Sequence, residues 1–93
     1  MYQFYTAEIK KTQSGEFEHD IHWYWDENEY QARLKGEAAF YEILSRAATS
    51  THLEHAAILF SSRGNRIMDQ CYTHAPVIAP VETENIENYE EPV

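Results

Sequence analysis

Histidines occur twice as pairs three residues apart: His19 and His22 in "HDIHWYWDENEY" (residues 19–30), and His52 and His55 in "HLEH". Imidazole can ligate a metal or move a proton, so each pair raises a question of chemistry. A zinc site needs three or four donors converging at about 2 Å. The chain has one cysteine and no H-E-x-x-H motif, so thiolate clusters and the helical zinc signature are both missing. Residues 17–25 alternate in polarity as a strand does, and successive strand side chains point to opposite faces. His19 and His22 are therefore expected on opposite sides, unable to share one ion. "HLEH" spans a helix exit and a strand start, where spacing alone defines no geometry. The expectation is no metal and no cofactor.

Nucleophilic and acid/base readings fare no better. Cys71 and His74 are three apart in a predicted strand and should diverge, leaving Cys71 to pack as a small apolar group. Asp20 and His22 share a face and could form a proton-transfer pair, yet such pairs are common on solvated surfaces and nothing in the sequence marks a cleft. Three well-separated glycines cannot build a phosphate-binding loop. The protein is expected not to be an enzyme.

The elements that would position these residues are legible. Tyr2 to Lys11 is β-compatible, and "KTQSGE" supplies hairpin chemistry at Ser14-Gly15. Phe17 to Trp25 then alternates, with Phe17, His19, Ile21, Trp23 and Trp25 on one side and Glu18, Asp20, His22 and Tyr24 on the other. "DENE" predicts a helix start, with Asp26 as cap and Glu29 in the capping-box position. Tyr30, Leu34, Ala38, Tyr41, Leu44 and Ala48 recur at helical spacing as the predicted buried stripe. Phe40, Ile43 and Ala47 fall outside it and widen the apolar arc, as if the C-terminal segment or another subunit covered that flank. Glu54–Ser61 reads as a buried strand, "SSRGN" as a turn, and residues 67–74 as a fourth strand.

The result is an α+β fold of ββαββ order: one mostly antiparallel four-stranded sheet with a single helix on one face, over residues 1–74. Residues 75–93 read as a proline-containing extended arm and acidic tail. Trp23 and Trp25 are expected beneath the helix, leaving an open face with Tyr2, Phe4, Asp20, His22 and Tyr24. Ile86 and Tyr89, three apart in the tail, could present one turn to a partner.

Charge narrows the partner. The chain carries −9, and residues 82–93 supply five glutamates and no base, so more than half the excess lies in the last dozen residues. Direct nucleic-acid binding depends on clustered Lys and Arg and is disfavoured. A basic protein, such as one that normally holds nucleic acid, fits the sign. There is no signal-peptide pattern and no run of about 18 apolar residues, so a cytoplasmic location without membrane contact is expected.

The order of "YTAEI" leading a hairpin and "YWDENEYQARLKGEAAFYEIL" leading a helix resembles small uncharacterised proteins of bacterial, phage and mobile-element genomes. The resemblance covers roughly residues 2–74. It implies the ββαββ fold and carries over no catalytic residue. Together these readings favour a small acidic protein-binding module, for example an inhibitor or accessory factor occupying a partner's basic surface. A homodimeric scaffold is the second reading, and a small histidine-based metalloenzyme the third.

Overall fold

Residues 1–76 are described by the computed structural model, and they follow the predicted order. Strands β1 (Tyr2–Lys11) and β2 (Phe17–Asp26) form an antiparallel hairpin running in unbroken register from Tyr2 opposite Asp26 to Lys11 opposite Phe17. Its turn is closed by the Thr12 amide on the Glu16 carbonyl at 2.7 Å, and Gly15 takes φ +92°, a region L side chains rarely enter. Helix α1 (Glu29–Ala47) follows, then β3 (Glu54–Ser61) and β4 (Arg66–Thr73). The sheet order is β2-β1-β3-β4 with every neighbour antiparallel, so the first strand of each hairpin lies inside and the second forms an edge.

The helix begins two residues later than the capping pattern predicts. Asn28, not Asp26, is the cap, and its side chain accepts the Gln31 amide at 2.9 Å. Asp26 Oδ1 instead accepts the Asn28 amide at 2.9 Å, turning the chain from strand to helix, and its Oδ2 pairs with Lys35 Nζ at 3.1 Å. The Asn28 amide and the Lys35 ammonium hold the Asp26 carboxyl below its ordinary range.

The buried face of α1 is also not the predicted stripe. Ala32, Gly36, Ala39, Phe40, Ile43 and Ala47 face the sheet, whereas Tyr30, Leu34, Ala38, Tyr41 and Ala48 are exposed and Leu44 packs only at the margin. The core consists of Phe40 and Ile43 with Phe4, Ala32, Ala57 and Leu59. The flank read as needing a C-terminal segment or a second subunit is thus covered by the sheet itself. The physical reason is proximity. Three small residues let the helix backbone lie close to β1 and β3, and the larger Tyr30 and Tyr41 are turned outward.

Gly36 marks the closest approach. A Cβ there would stand 2.8 Å from Leu59 Cδ1 and 3.4 Å from Phe4 Cβ, both within the core. Gly36→Ala gains about 1 kcal/mol of helix propensity but must displace a leucine methyl, so little net change is expected. Gly36→Val is expected to cost about 3 kcal/mol by overpacking, read as a lowered urea midpoint. An unchanged midpoint would mean that the helix stands further from the sheet.

The sheet faces are exchanged relative to expectation as well. Phe4, Thr6 and Glu8 of β1 point toward the helix and are buried. Their β2 partners Tyr24, His22 and Asp20 share that side, at the edge where α1 gives partial cover at most. Phe17, Ile21, Trp23 and Trp25 lie on the opposite, open face, each between 47% and 61% exposed. The strands alternate as predicted. Which alternate set lies inside was decided by fit: two indoles would hold the helix away from the sheet, and Phe4, Ala57 and Leu59 do not.

Candidate interaction surface

The open face is built by three strands in register. Tyr5 lies opposite Trp23 on β2 and opposite Phe60 on β3, so one aromatic row crosses the sheet. Tyr5 and Trp23 have ring centroids 4.5 Å apart at 39°, and Tyr5 stacks on Phe60 at 4.8 Å and 16°. The next row holds Ile21, Ala7 and Ile58, and the one after it His19, Ile9 and Ala56. Ala7 is buried despite facing outward, because its neighbours Ile21 and Ile58 overhang it. Trp25 and Phe17 close the two ends on β2.

Charge on this face is sparse and balanced. Lys11 sits opposite Glu54 and carries its ammonium 5.7 Å from the Phe17 ring centroid. Arg66 pairs with Asp69 at 3.4 Å. The domain's surplus acid lies elsewhere, notably at Glu18 and Asp20 on the helix side of β2 and at Glu37 and Glu42 on α1. Both faces of the Tyr5 ring are taken by Trp23 and Phe60.

A second cluster escaped the sequence reading. Glu8, inside β1, accepts from His55 Nε2 at 2.6 Å and from Arg46 Nη2 at 2.9 Å, while His55 Nδ1 is 2.9 Å from Ser50 Oγ. Burial pushes the Glu8 carboxyl up, but the hydrogen bonds from His55 and Arg46 outweigh it and hold the group below its ordinary range. Ionised Glu8 places a proton on His55 Nε2. Nδ1 then accepts from the Ser50 hydroxyl when the ring is neutral and donates to it when charged. The order Ser50–His55–Glu8 has the connectivity of a nucleophile, base and orienting acid. The His55 and Glu8 side chains are only 4% and 8% exposed. The cluster ties β1, β3 and the end of α1 together. Only long-range pairing reveals it: Glu8 and His55 are 47 residues apart.

The other flagged residues are dispersed. His19 lies on the open face and His22 on the helix side, as alternation requires. His22 and Tyr24 line a cleft of about 180 Å³ between β2 and α1, with Thr6 at its floor. Tyr2 is exposed at the sheet end, and Phe4, expected on the open face, is 7% exposed in the core. Cys71 is exposed rather than packed. The His52 and His55 rings meet edge-on at 5.3 Å, with His55 already engaged by Glu8 and Ser50. His74 Nε2 donates to the Ala47 carbonyl at 2.8 Å, fastening the end of β4 to the helix terminus. Among the described residues no three His, Cys, Asp or Glu side chains converge as metal ligands, and no helix is long and apolar enough to cross a membrane. Ile86 and Tyr89 lie outside the described residues.

The chain matches no protein-family profile, no curated protein and no solved structure.

Proposed function

We propose that the protein is a binding module, not an enzyme, and that it engages a partner protein through the open face of its sheet. One observation carries the reading: four large apolar side chains of β2, two of them tryptophan, stand about half exposed on one face beside Tyr5, Ile58 and Phe60. Contiguous apolar surface of this kind marks interaction sites, and tryptophan and tyrosine dominate interface energetics. The face is nearly neutral, so affinity comes from apolar burial. The net charge of −9 acts at longer range and speeds encounter with a basic partner, consistent with an inhibitor or accessory factor that covers a basic protein surface.

The test compares captures from the native host by the unaltered protein, Trp23→Ala, Trp25→Ala and the helix-side control Tyr41→Ala. Both tryptophans are exposed, so their variants should stay folded by circular dichroism. The expected result is a partner held by the unaltered protein and by Tyr41→Ala but weakened at least tenfold by each tryptophan change, as for anchor residues worth about 2 kcal/mol. Equal capture by all four would refute this surface.

A further inference from the structure

The edge of the sheet carries an inference beyond the open face and independent of it. We propose that two copies of this chain pair through β2, edge to edge and antiparallel about Ile21, into one eight-stranded sheet with both helices on the same side.

The two edges are not equivalent. A bare strand edge presents unpaired N–H and C=O groups, which proteins blunt with bulges, prolines, lysines or short strands. β4 has eight residues and breaks register against β3 next to Phe60. β2 has ten residues, no proline, no lysine and an uninterrupted register with β1. Its outward backbone groups are engaged at one end only. Lys35 reaches across from α1, donates to the Trp25 carbonyl at 3.0 Å and pairs with Asp26. Residues 17–24 remain open, with their midpoint at Asp20 and Ile21.

Directly opposed residues in an antiparallel pair lie on the same face, so a twofold pairing must be centred on a residue. Centring on Asp20 sets that carboxylate against its own copy. Centring on His22 sets Glu18 against Asp26, two like charges, in the part Lys35 already occupies. Centring on Ile21 avoids both. It places Ile21 against the partner's Ile21 and Trp23 against the partner's His19 on the open side. On the helix side it places Asp20 against the partner's His22 and Tyr24 against the partner's Glu18. Every contact except the central Ile21 pair occurs twice, the like-charge clashes vanish, and cross-strand aromatic and hydrogen-bonded polar pairs stabilise sheets. The twofold axis runs perpendicular to the sheet, so the aromatic faces of both copies merge into one.

Sedimentation velocity of the whole chain tests the pairing. The expected species is a dimer, with Asp20→Lys weakening it roughly tenfold because both carboxylate–imidazole contacts are lost. Adding His22→Glu to Asp20→Lys reverses both partners and should restore association. These positions lie on the helix side, so a dimer packed through its open faces would ignore them. In a Cys71→Ser background, Ile21→Cys should oxidise to a covalent dimer, since directly opposed strand residues bring their Cα atoms within the disulfide range. Monomers at every accessible concentration would overturn the proposal. A dimer indifferent to Asp20→Lys that fails to cross-link through Ile21→Cys would overturn it equally.

Discussion

Replacing Phe40 by alanine is expected to remove about 4 kcal/mol of folding stability, the usual cost of emptying a phenylalanine site in a core. Phe40 is 2% exposed, packs against Phe4, Ile43 and Leu59, and meets Tyr41 edge-on at 5.4 Å. Domains of this size hold about 5–15 kcal/mol in all, so the change removes roughly a quarter to most of the total. The informative comparison is Leu34→Ala. Leu34 belongs to the stripe that spacing alone would bury, yet it is exposed on the finished helix. Its removal is expected to cost less than about 1 kcal/mol. Urea titration of the two variants checks this, and a larger loss at Leu34 than at Phe40 would mean that the helix is rotated from the orientation described.

Glu8→Gln is expected to lower stability at pH 7 by about 3 kcal/mol, the lower end of the cost of breaking a buried ion pair. Glutamine keeps the shape, but its amide N–H₂ must face one of two donors, His55 or Arg46. Arg46 stays half exposed, and water can serve it once the carboxylate is gone. For a domain of this size the loss corresponds to a melting temperature lower by roughly 15 °C. The pH dependence fixes the cause. The Glu8 carboxyl is held below its unfolded value, so its contribution is complete above the unfolded pKa and disappears as pH falls through the folded one. The gap between the unaltered protein and Glu8→Gln should therefore be widest near neutrality and narrow below the ordinary carboxylate range. A gap constant from pH 7 down to pH 3 would show that Glu8 acts through packing rather than charge.

The two variants probe different parts of one support. Phe40 holds the helix over the sheet's centre, and Glu8 with His55 pins the helix end to the two central strands. Neither touches the open face, which can therefore carry exposed aromatics on a scaffold stabilised from the other side. That separation is what permits β2 to present tryptophans outward without loss of the fold.

Local chemistry made the elements legible. Alternation over residues 17–25 fixed an extended ribbon and parted His19 from His22, Ser14-Gly15 fixed the first turn, and the acid-rich "DENE" fixed a helix start to within two residues. The open face was half legible: alternation groups Phe17, Ile21, Trp23 and Trp25 on one side, but that side was expected beneath the helix and Tyr2, Phe4, Asp20, His22 and Tyr24 on the open face. What periodicity cannot supply is which of two alternate faces is covered, because a strand and its mirror assignment have the same pattern. Burial of the larger side chains was the natural choice, and close helix–sheet approach through Ala32, Gly36 and Ala39 reversed it.

Sequence by itself therefore determined the order of elements, their approximate ends, the surplus of acid and the parting of the first two imidazoles, all consequences of spacing within a dozen residues. Tertiary structure alone decided that the indoles face outward, that Phe4 lies inside, that β2 is an edge, and that Glu8 finds His55 from 47 positions away. Those outcomes depend on the volume left between helix and sheet and on contacts between distant segments, and no local pattern encodes either.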